Sequence, residues 1–318
     1  MKIVAMAACR HLSFKERYKL YRFLQRHRCT IYREIKRNSS SEFYLPDTAH
    51  RRAQGRKHGR YRKIIPDTAL YYYILNKLKK GWSPEQISGR MRLQKKPYYV
   101  CHETIYRYIY RGRKNNAWFQ YLFRAKPRRG KRKGRKHGSG KFSFLHKLIE
   151  HRPKNIECRK EYGHWEGDTI AFSSSKYKNI TTLVERKSRY LVMHKNENRK
   201  SSHVMKSIRK IIDAAKKKAF KTITFDQGSE FAHFRVLETK SACQTWYCQP
   251  HSPWQRGTNE NTNGYWRRYL PRTLDIENCS NSKVQKICKN INNLPRKLLG
   301  YRTPKEVMKK DIGSFCRN

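Results

Sequence analysis

Apolar residues recur at helical spacing near the start of the chain, between clusters of polar and basic residues. A helix is expected to begin at Phe14, because Ser13 and Glu16 have the spacing of a capping box. A second, short helix is expected over 30–37, with its first residue as N-cap and Asn38 as a left-handed stop. Few residues are left between these two helices.

The pattern over 66–112 predicts three helices. The first should stop at Gly81. The second should start after Ser83, which is followed by a proline and has Gln86 as its capping-box partner. The third is expected over 102–110. The residues expected to face the core are Leu70, Tyr71, Leu75, Leu78, Ile87, Met91, Ile105 and Ile109. A leading helix followed by two short ones is typical of a helix-turn-helix, although small helical bundles share the pattern.

The pattern changes at about residue 151, where short alternating segments appear. Strands are expected over 164–172, 179–186, 189–194, 222–225 and 245–248, and helices over 201–220 and 256–270. The resulting order is three strands, a helix, a strand, a helix, a strand and a helix. That order is the one found in the ribonuclease-H-like fold.

The charge of the chain indicates its partner. There are 75 Lys and Arg against 23 Asp and Glu, a formal net charge of +52. Such an excess favours a polyanion, with nucleic acid the obvious one. Charge alone leaves a ribosomal or chromatin-like packaging protein open, but 21 Tyr, 13 Phe and 6 Trp are enough to build cores. The segment 124–136, rich in Lys, Arg and Gly, reads as a linker that lies along phosphates.

These observations predict a multidomain chain, with an α-helical, helix-turn-helix DNA-binding region before an α/β, ribonuclease-H-like catalytic domain. The expected parts are a shortened helix-turn-helix-like segment over 1–45, a helical DNA-binding domain with a second helix-turn-helix over 46–122, a basic linker over 123–150 and the catalytic domain over 151–318. The residues expected to contact DNA are Arg33, Lys36, Arg37, His102, Thr104, Arg107, Arg256, Asn259 and Asn263. For the two asparagines, bracing the catalytic site is an equal alternative.

The nine cysteines are scattered, with no pair at the two-residue spacing of a zinc ribbon. We therefore expect reduced thiols in a cytoplasmic protein without a membrane span. A zinc site joining Cys243, Cys248 and His251 is the weaker alternative to buried thiols.

Acids are scarce in this chain, so the placement of three of them is informative. Asp168 and Asp226 are expected at strand ends, and Glu260 at the start of a helix. Carboxylates are ligands that Mg²⁺ prefers, and two such ions can support phosphoryl transfer. We expect Asp168 to bridge two Mg²⁺ ions, with Asp226 on one and Glu260 on the other; Mn²⁺ could substitute. Taken singly, each acid could be an ordinary turn or helix-start residue.

Several neighbouring residues have competing interpretations. Glu166 should share a strand face with Asp168 and is the more serious alternative ligand; Glu230 is another. Arg186 and Lys187 could hold phosphate or lie on a solvated hairpin. The tryptophans expected in the core or as stacking supports are Trp165, Trp254 and Trp266.

Five motifs carry a resemblance to a known family. They are GHWEGDTI at 163–170, LVERKSRY at 183–190, TFDQGSEF at 224–231, SPWQRGTNENTNG at 252–264 and a closing motif over 294–304. With these motifs the chain resembles bacterial transposases of the insertion sequence 30 family, in the DDE transposase/integrase group, over most of its length.

The resemblance implies that Asp168, Asp226 and Glu260 form the catalytic triad of an enzyme that uses Mg²⁺. It implies binding of terminal inverted repeats by the amino-terminal helices, cleavage of the element's ends and joining of 3′-OH ends to target DNA. By analogy the chain would form homo-oligomers on DNA, in the bacterial cytoplasm at the nucleoid.

The sequence departs from the family pattern at three places. The first helix-turn-helix is shortened before Cys29, Gln227 stands where Asn is usual, and Leu294 stands where Arg is usual. An inactive or end-binding-defective DNA-binding remnant is therefore the alternative function. A structure-specific nuclease of the same fold is another.

Overall fold

The computed structural model describes residues 27–39, 44–58, 63–111, 117–123, 147–216, 219–241, 243–250, 252–313 and 315. The chain forms two compact units, Met1–Ile65 and Pro66–Asn318. The helix expected from Phe14 and the basic segment over 124–136 lie outside the described residues.

The described part of the first unit contains helices α1, Arg28–Asn38, and α2, Pro46–His58. The predicted bounds of α1 were wrong at both ends. The ring of His27, not the Thr30 side chain, caps the helix by accepting the Cys29 N–H at 3.4 Å. Asn38 is part of the helix, without a left-handed backbone, and its buried amide donates to the Glu34 carbonyl at 3.0 Å.

The second unit begins with three helices: α3, Ala69–Lys79; α4, Pro84–Leu93; and α5, His102–Arg111. The predicted capping box between Ser83 and Gln86 is confirmed in both directions. Gly81 has a φ of +82°, so it provides the predicted stop after α3. Five of the eight predicted inward residues are at most 1% exposed, namely Leu78, Ile87, Met91, Ile105 and Ile109, whereas the other three are half-buried.

The strand and helix order predicted for the rest of the chain is confirmed. The elements are β1, His164–Phe172; β2, Ser175–Glu185; β3, Leu191–Asn196; α6, Ser201–Ala214; β4, Thr222–Phe225; α7, Arg235–Ser241; β5, Gln244–Tyr247; α8, Gly257–Trp266; α9, Asn281–Asn292; and α10, Pro304–Ile312. They build a sheet in the order β3-β2-β1-β4-β5. β1, β2 and β3 pair antiparallel, whereas β1, β4 and β5 run parallel.

Side chains alternate between the two faces of this sheet, and each face carries its own core. Trp165 and Ile223 pack with Val204 of α6 on one face. Ile170 packs with Trp266 of α8 on the other, where α9 also contributes. Because Ile170 and Asp168 are two residues apart on β1, Asp168 faces the side on which α8 lies.

Two helix predictions needed correction. Helix α6 ends at Ala214 rather than at Phe220, where the apolar pattern would have carried it. The following backbone is held by a tertiary contact, since the Lys216 N–H donates to the Phe315 carbonyl at 3.0 Å. Helix α8 begins at Gly257, after a short 3₁₀ turn over Pro253–Arg256.

The described helices include none that is long and apolar enough to cross a membrane. Cys243 and Cys248 are 0% and 3% exposed. Burial raises the pKa of the Cys243 thiol to about 12, which opposes the thiolate that zinc binding needs. His251 lies outside the described residues.

Candidate active site

Of the three predicted acids, Asp168 lies on β1 and Asp226 directly follows the neighbouring parallel strand, β4. Glu166 of β1 pairs with Thr224 of β4, so Asp168 and Asp226 occupy the next matching positions toward the carboxyl ends. Neighbouring strands lie about 4.8 Å apart, which brings the two carboxylates to one place. Asp168 is not at a strand end, because β1 continues to pair with β2, with Asp168 opposite Thr182.

The Asp168 carboxylate is oriented by two hydrogen bonds. Oδ1 accepts the N–H of Thr169 at 2.9 Å, and Oδ2 accepts Nδ2 of Asn263 at 2.9 Å. Asn263 is itself fixed, because its Oδ1 accepts the indole N–H of Trp266 at 2.8 Å. Of the two roles considered for Asn263, the structure supports bracing: its amide connects α8 to the acid on β1.

The loop after β4 places Asp226 beside another carboxylate. Oδ1 of Asp226 accepts the Gly228 N–H at 3.1 Å. A Cβ at Gly228 would lie 2.7 Å from Oε2 of Glu230 and 3.0 Å from Oδ1 of Asp226, so a larger residue would push the loop apart. Oε1 of Glu230 accepts the hydroxyl of Thr169 on β1. Glu230 therefore joins the Asp226 loop to the residue next to Asp168.

The third acid belongs to helix α8. Glu260 has helical backbone, but its side chain is not among those described, and the same holds for Arg256 and Asn261. The preceding Asn259 is 1% exposed, and both polar atoms of its amide lack a hydrogen-bond partner among the described side chains and backbone. Its backbone N–H donates to Oε2 of Glu166 at 2.9 Å. Asn259 is thus inside the fold rather than on an open DNA-facing surface.

Glu166, the alternative metal ligand, has a different set of contacts. Its side chain is fully buried, and Oε1 accepts Nε of Arg186 at 3.1 Å. Nη1 of Arg186 also donates to the Ile156 carbonyl at 2.7 Å, and Arg186 is 4% exposed. Arg186 is therefore occupied within the protein and does not offer its charge to phosphate.

The turn between β2 and β3 supplies a second arginine to the start of α8. Nη1 of Arg189 donates to Oγ1 of Thr258 at 2.6 Å. Burial lowers the pKa of Arg189 to about 10. Lys187, between the two arginines, pairs with Asp311 at 3.0 Å. The LVERKSRY motif was informative as a family signature, but its contacts with α8 depend on tertiary structure that the sequence pattern did not reveal.

The donor chemistry at this site fits a divalent hard cation. Asp168 and Asp226 supply carboxylate oxygens from adjacent strands, the ligands that Mg²⁺ prefers. No group of three or more metal-binding side chains is found among the described ones, which do not include that of Glu260.

The other predicted DNA contacts differ in exposure. Arg33, Lys36 and Arg37 of α1 are exposed, as are His102 and Arg107 of α5; the remaining one, Thr104, is half-buried and lies 3.2 Å from the Cys101 sulfur. Trp165 and Trp266 are buried as expected. Trp254, just before α8, is 71% exposed and so is not a core residue.

Comparisons with known proteins agree with the fold order. Residues 159–253 match the family model of the integrase core domain. The chain is 36% identical over 289 residues to the transposase for insertion sequence element IS4351 of Bacteroides fragilis, covering 89% of this chain and 86% of that one. It is 35% identical over 299 residues to transposase InsI for insertion sequence element IS30A of Escherichia coli strain K12, covering 91% of this chain and 77% of that one.

Among solved structures, the catalytic core domain of BIV integrase is similar to 47% of this chain and is covered over 95% of its own length, with 16% identity and a TM-score of 0.37. The two transposase matches cover 89% and 91% of the chain. On that basis the chain belongs to the insertion sequence 30 family of transposases.

Proposed function

We propose that this transposase binds the terminal inverted repeats of its insertion sequence and catalyses metal-dependent DNA strand cleavage and strand transfer. The catalytic acids are Asp168, Asp226 and Glu260. One observation carries the proposal: Asp226 directly follows β4 at the position that matches Asp168 on the adjacent parallel strand β1, and the helix that contains Glu260 is bonded to β1.

The residues of the chain have separate tasks in this proposal. Asp168, Asp226 and Glu260 would together hold the Mg²⁺ ions. Bound ions of this kind activate the attacking hydroxyl and stabilise the leaving oxygen, and Mn²⁺ can take their place. The Thr169 N–H and the Asn263 amide fix the direction of the Asp168 carboxylate. The Gly228 N–H does the same for Asp226.

DNA is held by the excess positive charge, which releases counterions from the phosphates. The exposed basic residues of α1 and α5 support contacts with the terminal repeats. Because two ends must be brought together, the active form is a homo-oligomer on DNA. It works where the chromosome lies, in the bacterial cytoplasm at the nucleoid.

Two departures from the family pattern are accommodated without disturbing the acids. Nε2 of Gln227 donates to the Cys248 carbonyl at 3.0 Å. Leu294 is 3% exposed and so fits the interior. These contacts favour an active enzyme over the inactive or end-binding-defective remnant.

Cleavage and joining of DNA that carries the element's own ends tests the proposal. Wild-type protein should cut in Mg²⁺ and fail with chelator. Asp226→Asn keeps an oxygen that accepts the Gly228 N–H, so the loop is preserved, but it removes the charge that a metal needs. We expect cleavage to be abolished and DNA binding to stay within about twofold of wild type, since phosphate contacts are unchanged.

Asp213→Asn is the matched control, because Asp213 is an exposed acid that pairs with Arg209 on α6. It should cleave like wild type. Equal cleavage by Asp226→Asn and wild type would contradict the site assignment. Binding without cleavage by wild type in either Mg²⁺ or Mn²⁺ would support the remnant, and cutting without joining would support a nuclease.

A further inference from the structure

A buried carboxylate connects the two catalytic elements and has no other evident task. Glu166 is on β1, two residues before Asp168, and its Oε2 accepts the Asn259 N–H at 2.9 Å. Asn259 is in the first turn of α8 and directly precedes Glu260. The contact therefore joins the strand that contains one acid to the helix position next to another.

The contacts of Glu166 argue against its being a metal ligand. One of its oxygens accepts Nε of Arg186 at 3.1 Å and the other accepts the Asn259 N–H. The side chain is 0% exposed. A carboxylate that binds an ion at a DNA-accessible site must instead present an oxygen to that site.

Two features make this contact suited to positioning. The first N–H groups of a helix have no partner within the helix, so an acceptor placed there fixes where the helix begins. A negative charge at that end also interacts favourably with the helix dipole. Arg186 holds the Glu166 carboxylate in place, because its guanidinium is itself fixed by a second bond, to the Ile156 carbonyl.

A second side chain also bonds to the first turn of α8. Arg189, from the same turn as Arg186, donates to the hydroxyl of Thr258 at 2.6 Å. Farther along the helix, Asn263 donates to Asp168. The contacts at Thr258, Asn259 and Asn263 lie on both sides of Glu260 along α8.

We propose that Glu166, held by Arg186, is a positioning residue that fixes the start of α8 and thereby the placement of Glu260 relative to Asp168. This inference rests on the proposed function, because the placement of Glu260 affects the cleavage rate only if Glu260 is catalytic. A displacement of about 1 Å in a catalytic group can reduce the rate on the order of 100-fold.

The test removes the ion pair as a whole. Glu166→Leu alone would strand the buried Arg186 charge, whereas an apolar pair of similar volume is often tolerated in place of a buried ion pair. The double variant E166L/R186M therefore deletes the connection with the least disturbance of packing. Glu166→Gln keeps one oxygen that can accept the Asn259 N–H and serves as the conservative variant. Glu197→Gln, an exposed acid paired with Lys178, is the control.

Two measurements are made on the full chain with element-end DNA. The first is the rate of cleavage as a function of Mg²⁺ concentration. We expect E166L/R186M to cleave on the order of 100-fold more slowly and to need more Mg²⁺, with DNA binding in chelator unchanged. Glu166→Gln should recover most of the rate, because it restores the acceptor for α8. A defect confined to folding would instead lower DNA binding and cleavage together.

The second measurement is amide hydrogen exchange over 257–263, which does not depend on activity. Exchange there should be faster in E166L/R186M than in wild type and unchanged in Glu197→Gln, while exchange in β1 remains slow. If the double variant fails to fold, faster exchange over 257–263 in Glu166→Leu than in Glu166→Gln supports the proposal, and equal exchange in the two overturns it.

Wild-type rates and exchange in the double variant would overturn the proposal, as would equal losses in E166L/R186M and Glu166→Gln. Failure of wild-type protein to cleave would count against the proposed function alone, because the exchange measurement still tests the connection between Glu166 and α8.

Discussion

The hydroxyl of Thr169 and the carboxylate of Glu230 illustrate how a single side-chain contact can hold two proposed catalytic acids at a fixed spacing. Thr169 follows Asp168 on β1, and Glu230 is close to Asp226 after β4. The sequence presented Glu230 as a competing acid. In the structure it is a link between the two strand segments, and its importance can be measured separately from metal binding.

Thr169→Val should weaken that link with almost no change of shape. A hydrogen bond to a charged group contributes about 1.5–3 kcal/mol, so we expect cleavage to fall roughly 10-fold or more. DNA binding should not change. Thr239→Val is the control, because the Thr239 hydroxyl bonds to a carbonyl of α7 away from the acids. Kinetics of cleavage on end DNA provide the measurement, and a rate equal to wild type would show that the link is dispensable.

The buried His164 makes the stability of the protein depend on pH. Burial lowers the pKa of His164, and the hydrogen bond to Glu161 only partly opposes that shift. The unfolded chain therefore takes up a proton at higher pH than the folded chain. Stability is present above the unfolded pKa of about 6.5 and is lost as the pH falls toward the folded value.

His164→Gln should reduce the difference in free energy of unfolding between about pH 7.5 and about pH 5.5. Some difference will remain, since burial also lowers the pKa of His194. Denaturant titrations at the two pH values measure it. The exposed His203 provides the control, and His203→Gln should keep the wild-type difference. An unchanged difference in His164→Gln would contradict the assignment.

The residues also show where sequence reasoning reaches its limit. Asp168 and Asp226 could be selected because each lies in or directly after a strand-like run in a chain with few acids. Glu166 could not be distinguished from Asp168, since both lie on one strand face. Their roles are decided by partners distant in sequence: Arg186 and the Asn259 N–H for one, and Asn263 for the other.

At the scale of elements, helix α4 is docked against the closing motif and α10. Arg90 donates to both oxygens of Glu306, at 2.7 and 2.5 Å, and to the Tyr301 carbonyl at 3.1 Å. Gly89 of α4 lies directly against the Tyr301 ring. The closing motif of the family therefore has a structural role: together with α10 it holds helix α4 in place.

Gly89→Ala tests this docking. Alanine normally stabilises a helix by about 1 kcal/mol relative to glycine. Here its Cβ would overlap the Tyr301 ring, and such overpacking costs about 1–3 kcal/mol. We therefore expect a lower melting temperature. Gly264→Ala, on an exposed position of α8 with nothing within 4 Å, should raise it instead. Thermal unfolding compares the two, and a stabilised Gly89→Ala would argue against close packing.

The predicted elements were most accurate where local signals agree. The capping box before α4 and the stop at Gly81 are local in sequence, and both were confirmed. The predicted end of α6 was wrong because the apolar pattern continues past Ala214. In the structure the Lys216 N–H donates to the Phe315 carbonyl instead of continuing the helix. For Trp254, expected in the core or as a stacking support, the structure excludes only the core role, since its exposure depends on the orientation of the 3₁₀ turn before α8.

At the scale of the whole molecule, many of the scarce acids are used internally. Glu166 and Glu306 pair with arginines, and Asp311 and Glu238 pair with lysines. The excess of basic residues is therefore left for the surface, and binding to DNA should depend steeply on salt. We expect a loss of about 1000-fold or more in affinity between about 50 and 200 mM salt, if six or more phosphates are neutralised.

Single substitutions sharpen this expectation. Arg33→Ala and Arg107→Ala, at exposed positions of α1 and α5, should each reduce the slope of log affinity against log salt by about 1. Lys178→Ala should not, because Lys178 is already paired with Glu197 and Glu277. Titrations at several salt concentrations measure the slope, and a flat response in wild type would exclude phosphate contacts as the main source of affinity.

The order of the catalytic elements along the chain has a consequence during protein synthesis. β1, β4 and α8 emerge from the ribosome one after another, and domains generally fold from the amino terminus as they appear. Helices α1 to α5 are complete well before α8, so a nascent chain can bind DNA before its three acids can meet. With the proposed site, cutting has to wait until α8 has been made, and a chain released before α8 is expected to bind DNA without breaking it.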